Sequence, residues 1–193
     1  MRIITGISRG AKLETLNGDA TRPTTEMAKE GIFSSIQFEI EGRKVLDLFA
    51  GSGQMGLEAL SRGAEHCVFI DNSPAAIEII KKNAQKTKLF SSCRISCIDF
   101  TEYLKSINGK NVTFDYIFVD PPYDMKLCPE VVKKIFKSGC IHDNTLIYCE
   151  SDSDEFDLGV INDSVFGKAE LVKMYKYGKT YVHVIKRMGE SEE

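Results

Sequence analysis

Val45-Leu46-Asp47-Leu48-Phe49-Ala50-Gly51-Ser52-Gly53-Gln54-Met55-Gly56 carries the strongest architectural signal in the chain. An apolar run carries an acid, breaks into spaced glycines and continues as a helical pattern. The glycines fit G-x-G-x-x-G, a strand-to-helix turn in which absent side chains let backbone amides approach a ligand closely. Taken alone, that pattern specifies no more than a nucleotide-like cofactor. Working outward, the same strand-then-helix alternation repeats. Lys44–Phe49 reads as a first strand and Met55 to Arg62 as a helix. His66–Ile70, a helix over Ser73–Thr87 with Pro74 in its first turn, and Cys93–Ile98 follow. Phe100–Ser106 is a short helix, Phe114–Val119 a strand, Pro129–Ser138 a helix and Thr145–Cys149 a strand. This alternation predicts an α/β domain with a parallel sheet covered on both faces. Ala169–Tyr175 and Tyr181–Arg187 are joined through Lys176-Tyr177-Gly178-Lys179, too short for a parallel crossover, so they pair antiparallel.

Upstream, Arg2–Gly6 and Ala11–Leu16 read as a small basic hairpin turning at Ser8-Arg9-Gly10. Arg22-Pro23-Thr24-Thr25 then opens a helix to about Gln37 that turns Ile32, Phe33 and Ile36 inward. Gly31 inside that helix costs about 1 kcal/mol against alanine, a sign of close packing or weak helicity.

Composition bounds the rest. At 193 residues, with 42% hydrophobic and 27% charged, the chain matches one ordinary globular domain. No run approaches the roughly 20 apolar residues that cross a bilayer. Met1-Arg2-Ile3-Ile4-Thr5-Gly6 has no apolar signal core, so a cytoplasmic location is expected. Cys67, Cys93, Cys97 and Cys149 lie in or beside apolar runs, where a reduced thiol acts as a small hydrophobe. There is no Cys-x-x-Cys and no His/Cys cluster, so no metal is expected. His66, His142 and His183 are scattered without a recognisable partner. The net charge of −3 argues against nucleic acid. Its distribution argues the other way. Arg2, Arg9, Lys12 and Arg22 gather near the start, and Lys168, Lys173, Lys176, Lys179, Lys186 and Arg187 gather near the end. Local clusters of this kind attract phosphates, although each also reads as an ordinary solvated face.

Asp47, Asp71, Asp99 and Asp120 fall at four successive strand ends, the edge along which open α/β sheets bind ligands. Asp71 suits ribose hydroxyls, and Asp99 with Phe100 suits an adenine edge and face. A lone aspartate at such a place is more often a cap or turn residue. Asp120-Pro121-Pro122-Tyr123 is more specific. Two prolines remove amide hydrogens and expose carbonyls, beside a carboxylate and an aromatic ring. Such a group can grip both hydrogens of an exocyclic amine while the ring stacks on its base. A nicotinamide dinucleotide would use the glycines and Asp71, but it explains neither the Asp-Pro-Pro-Tyr run nor an acid at Asp47. S-adenosylmethionine explains both, because its sulfonium and ammonium favour a carboxylate-rich edge and it has no pyrophosphate to be repelled.

On these residues the chain resembles class I S-adenosylmethionine-dependent methyltransferases, and among them the 16S rRNA guanine-N2 methyltransferases of the RsmD type. The likeness runs through Arg2-Ile3-Ile4-Thr5-Gly6 with Arg9-Gly10, Arg22-Pro23-Thr24-Thr25 and Asp47 to Gly53. It continues in Gly56-Leu57-Glu58-Ala59-Leu60-Ser61-Arg62-Gly63-Ala64 and Asp120 to Tyr123. Lys29 and Gly31 depart from the family's usual arginine and side-chain-bearing residue. The resemblance implies a Rossmann-like, seven-stranded, mostly parallel sheet with an antiparallel C-terminal hairpin and a small N-terminal β-hairpin extension. It implies a single methyltransferase domain over 1–193, divided into a basic extension (1–22), a core (23–187) and an acidic tail (188–193).

The resemblance further implies S-adenosylmethionine held by Asp47, Phe49, Ala50, Gly51, Ser52, Gly53, Asp71, Asn72, Asp99, Phe100 and Thr24. Asp120, Pro121, Pro122 and Tyr123 would act on the target guanine. Arg2, Arg9, Lys12, Arg22, Lys176 and Lys179 would hold RNA phosphates, while Tyr175 and Tyr177 stack on RNA or pack the sheet. The expected partner is 16S rRNA or a small-subunit particle, with no membrane and a monomeric enzyme. An adenine-N6 methyltransferase and a non-catalytic RNA-binding assembly factor are the competing readings.

Overall fold

The computed structural model describes residues 1–16, 23–121, 127–163 and 166–189, without the side chains of residues 23–25. Pro23–Ser35 (α1) precedes a chain of alternating elements: Lys44–Asp47 (β1), Gln54–Ser61 (α2), His66–Asp71 (β2) and Pro74–Lys86 (α3). Cys93–Cys97 (β3), Phe100–Ile107 (α4), Phe114–Val119 (β4), Leu127–Ser138 (α5) and Ile141–Ser151 (β5) continue it. A short helix Gly159–Asn162 (α6) and the hairpin Ala169–Tyr177 (β6) and Thr180–Arg187 (β7) complete it. Seven strands form one sheet in the order β3-β2-β1-β4-β5-β7-β6. β1 to β5 pair in parallel, and β7 lies antiparallel between β5 and β6. The expected α/β sheet with an antiparallel C-terminal hairpin is therefore present.

Side-chain alternation along the strands builds two cores. Val45, Phe69, Phe118 and Tyr148 face α1, α2 and α3 and pack with Phe33, Leu57 and Ile80. Leu46, Ile70, Ile117 and Ile147 face α4 and α5 and pack with Leu104 and Ile135. Burial on both faces is why these strands read as unbroken apolar runs. Local signals set the helix starts. Ser73 caps α3 by accepting from the Ala76 amide, with Pro74 next, and Asp99 caps α4 by accepting from Thr101.

The N-terminal hairpin pairs less than expected. An antiparallel bridge joins Arg2 to Lys12, flanked by Ile3–Ala11 and Leu13–Met1 backbone hydrogen bonds. Its ladder stops because its donors go elsewhere. The Ile4 and Thr5 amides donate to the Glu58 carboxylate at 2.7 and 3.0 Å, and Ile7 donates to the Ser61 carbonyl. Thus the hairpin is docked on α2. Fully buried Glu58 also receives Arg62 at 2.8 Å and Lys29 at 3.4 Å. Lys29, itself buried, donates to the Arg2 carbonyl at 2.7 Å, and desolvation lowers its pKa.

Other boundaries differ as well. β5 begins four residues earlier than the sequence suggests, because Thr145 Oγ1 bonds the Phe114 carbonyl and accepts from His142, bridging a register irregularity. Cys97 is exposed, since β3 is the sheet's edge. His142 does have a partner, Asp115 at 3.3 Å, and buried His183 packs on Phe156. Gly31 marks close packing: the Tyr177 hydroxyl occupies the space a Cβ would need.

Candidate active site

The glycine turn is stitched to both neighbouring strands. Leu48 donates to the Phe118 carbonyl and Ala50 to the Ile70 carbonyl, each at 3.0 Å. Gly51 then donates to Asp71 Oδ2 at 2.9 Å, while Asp71 Oδ1 accepts from Ser73 at 2.8 Å. At Gly51, with φ +51°, an added Cβ would point into open space; its left-handed backbone, not crowding, requires glycine. Gly56 is the opposite case. A Cβ there would run into Phe69 and Cys67, so glycine lets α2 lie against β2.

Asp47 sits beneath this turn, 4% exposed, and accepts from the Gly56 amide at 3.0 Å. Burial pushes its pKa up to about 7; the Gly56 bond opposes the rise, and the Asp120 and Asp71 carboxylates add to it. The structure thus brings Asp47, Asp71 and Asp120 into one electrostatic neighbourhood. Asp99, exposed just past β3, caps α4 by accepting from the Thr101 amide at 2.8 Å. Phe100 packs on Phe49 with ring centres 5.0 Å apart, joining the third strand end to the glycine turn. Ser52 is buried, and its carbonyl accepts from Asn83. Asn72 is exposed beside Asp71.

Asp120 leaves β4 into a pocket lined also by Ile32, Met55, Phe118, Val119, Tyr148, Glu150 and Val182. The pocket lies on the α1 side of the sheet, across the β1–β4 switch point from the glycine turn. Pro121 is half-buried next to it. Arg22, Pro122 and Tyr123 lie outside the described residues, as does the side chain of Thr24.

The site fits a cationic nucleoside such as S-adenosylmethionine. Its strand ends carry carboxylates, and Gln54 Oε1, one residue past Gly53, is buried without a hydrogen-bond partner among the described residues. A ligand N–H would satisfy that oxygen.

The model of the family described as Conserved hypothetical protein 95 matches residues 1–186. The chain belongs to this family. It is 34% identical over 189 residues to YlbH of Bacillus subtilis, covering 98% of this chain and 100% of that one. It is also 34% identical to the ribosomal RNA small subunit methyltransferase D of Haemophilus influenzae, over 80% of each chain. The solved structure of yhhF from Escherichia coli superposes with a TM-score of 0.81 at 28% identity, covering 98% and 99% of the two chains.

In this member of the Conserved hypothetical protein 95 family, Arg2, Arg9 and Lys12 are all exposed on the docked hairpin. Lys179 is exposed in the β6–β7 turn, and the Lys176 ammonium lies over the Tyr181 ring at 5.0 Å. That turn is at the same sheet edge as Asp120, because antiparallel β7 starts where parallel β5 ends. Tyr175 and Tyr177 stack on each other, 6.2 Å apart, and both pack on the core beside α1. Three functional candidates escape a reading of the sequence. Glu150 reaches the Asp120 pocket only through strand pairing. Fully buried Asn83 ties Glu14 of the hairpin arm to Ser52 of the glycine turn. The Lys29–Glu58–Arg62 cluster anchors the hairpin. Glu58 and Arg62, four apart on a helix, carried the only hint.

Proposed function

We propose that this protein methylates the exocyclic N2 amine of a guanine in small-subunit (16S) rRNA, with S-adenosylmethionine as donor and residues 1–193 acting as one methyltransferase domain. The observation that carries the reading is the placement of Asp120 and Pro121 at the end of β4, next to a glycine turn on adjacent β1. The named small-subunit methyltransferase relative supports the substrate class.

When bound, S-adenosylmethionine supplies an electrophilic methyl group. Asp47, Gly51, Ser52, Gly53, Asp71 and Asn72 would hold it, with Phe49, Ala50, Phe100, Asp99 and Thr24 around the adenosine. The Asp120 carboxylate and the Pro121 carbonyl each accept one hydrogen of the target amine. An aromatic amine delocalises its lone pair into the ring. Two fixed acceptors favour the pyramidal nitrogen, aim the lone pair and stabilise developing positive charge, and after methyl transfer the nitrogen releases one proton to Asp120 or to water. The base leaves its stack at a cost of a few kcal/mol, offset by stacking on Tyr123 worth about 1–3 kcal/mol. Pro122 would keep the turn rigid. Arg2, Arg9, Lys12, Arg22, Lys176 and Lys179 contact phosphates, giving affinity without base specificity.

The test is methylation of bulk rRNA and small-subunit particles with labelled donor, followed by nucleoside analysis. N2-methylguanosine is the expected product. N6-methyladenosine would transfer the protein to adenine chemistry, and no labelled product would make it a non-catalytic binder.

A further inference from the structure

The Asp120 pocket contains a second carboxylate that the chemistry above leaves unused. Parallel pairing sets Val119 beside Cys149, so residue 120, just past β4, lies alongside residue 150 of β5, roughly 4.8 Å apart at ordinary strand spacing. Alternation puts both on the face that carries Phe118 and Tyr148, and both line the pocket with Ile32, Met55 and Val182. Glu150 is half-buried, and its backbone is held from two directions. It pairs with Val182 of β7, and its carbonyl accepts from the Cys128 thiol at 3.4 Å. An acid placed this firmly beside Asp120, on an otherwise apolar floor, is positioned to read a base.

We infer that Glu150 determines base specificity by accepting the ring N1–H of guanine while Asp120 holds the neighbouring amine, an inference that rests on the guanine-N2 reading above. Asp120 and Pro121 alone cannot choose the base, since they would grip any exocyclic amine, including N6 of adenine. An extruded base is read on its Watson–Crick edge. There, guanine places an N1–H donor next to its N2 amine, whereas adenine places a bare N1 lone pair next to its N6 amine. An ionised carboxylate only accepts. It therefore bonds the first base and repels the lone pair that the second presents at the same place.

The experiment uses the full-length protein and small-subunit rRNA with 2-aminopurine at the mapped methylation site. That base keeps the 2-amine but has no hydrogen on N1. Wild-type kcat/KM is expected to fall by about 100-fold or more against guanine RNA, as for sites that lose a bonded donor. Glu150→Gln offers either an acceptor or a donor, so the guanine-to-2-aminopurine ratio should narrow by at least about tenfold. Its S-adenosylmethionine affinity should stay at the wild-type value, showing an intact fold. Equal use of both RNAs by the wild-type enzyme refutes the role of Glu150 whether or not the variant folds. An unchanged ratio in a folded Glu150→Gln protein does the same, and either result leaves the methyltransferase reading standing. No transfer by wild type to guanine RNA overturns both.

Discussion

Asp47→Asn offers a quantitative test of how the cofactor turn is built. The Asp47 carboxyl is buried, bonded to the Gly56 amide, and close to the Asp71 and Asp120 carboxylates, so its pKa rises from 3.8 to about 7. Between those values the folded protein retains a proton that the unfolded chain has released. Stability contributed by this group is therefore complete below about pH 4 and is lost as pH rises through 7. A rise of that size corresponds to about 4 kcal/mol at most, at 1.36 kcal/mol per pH unit. Asparagine cannot ionise, yet its carbonyl can still accept from Gly56. Urea unfolding of both proteins at about pH 5 and pH 8 should show the variant gaining on wild type by roughly 2–3 kcal/mol as pH rises. A second readout addresses the ligand. A cationic cofactor favours ionised Asp47, so wild-type S-adenosylmethionine affinity should strengthen through pH 7. The variant's should stay flat and lie about tenfold weaker at pH 8, the equivalent of one pKa unit of interaction. A stability difference that does not change with pH would refute the burial argument, and parallel pH profiles of affinity would refute the contact with the cofactor's charge.

Three further perturbations have defined outcomes. Asp120→Ala should abolish methyl transfer while leaving S-adenosylmethionine affinity within about twofold if, as proposed, the carboxylate acts on the target amine; calorimetry beside a labelled-methyl assay separates the two, and surviving activity would remove Asp120 from its role. Glu58→Ala should cost about 4 kcal/mol, lowering the melting temperature by roughly 8–16 °C, since it strands buried Lys29 and Arg62 and two amides. Lys29→Met preserves the Arg62 pair and both amides and should cost only about 1–2 kcal/mol; equal costs in thermal melts would contradict this account of the hairpin anchor. Gly31→Ala should destabilise by about 1–3 kcal/mol as its Cβ displaces the Tyr177 hydroxyl. Tyr177→Phe should recover part of that in a double-mutant cycle, and strict additivity would show that the two do not touch.

The architecture was readable where one rule acted locally. Apolar runs buried on both faces, the caps at Ser73 and Asp99 and the glycine turn lie in short segments whose geometry follows from nearby residues. The hairpin's pairing was not readable, because the backbone donors of Ile4 and Thr5 are taken by a carboxylate more than fifty positions away. The partners of His142 and His183 were hidden for the same reason.

An alternating sheet with carboxylates at four strand ends, and an Asp-Pro-Pro-Tyr run after the fourth strand, could be read from the letters alone, because periodicity and proline chemistry are local properties. Which of those acids share an environment follows from the packed fold. Only it buried Asp47 until its proton is held near neutrality and set Glu150 beside Asp120. Desolvation and strand register depend on what packs around a residue, and no stretch of neighbouring letters encodes that.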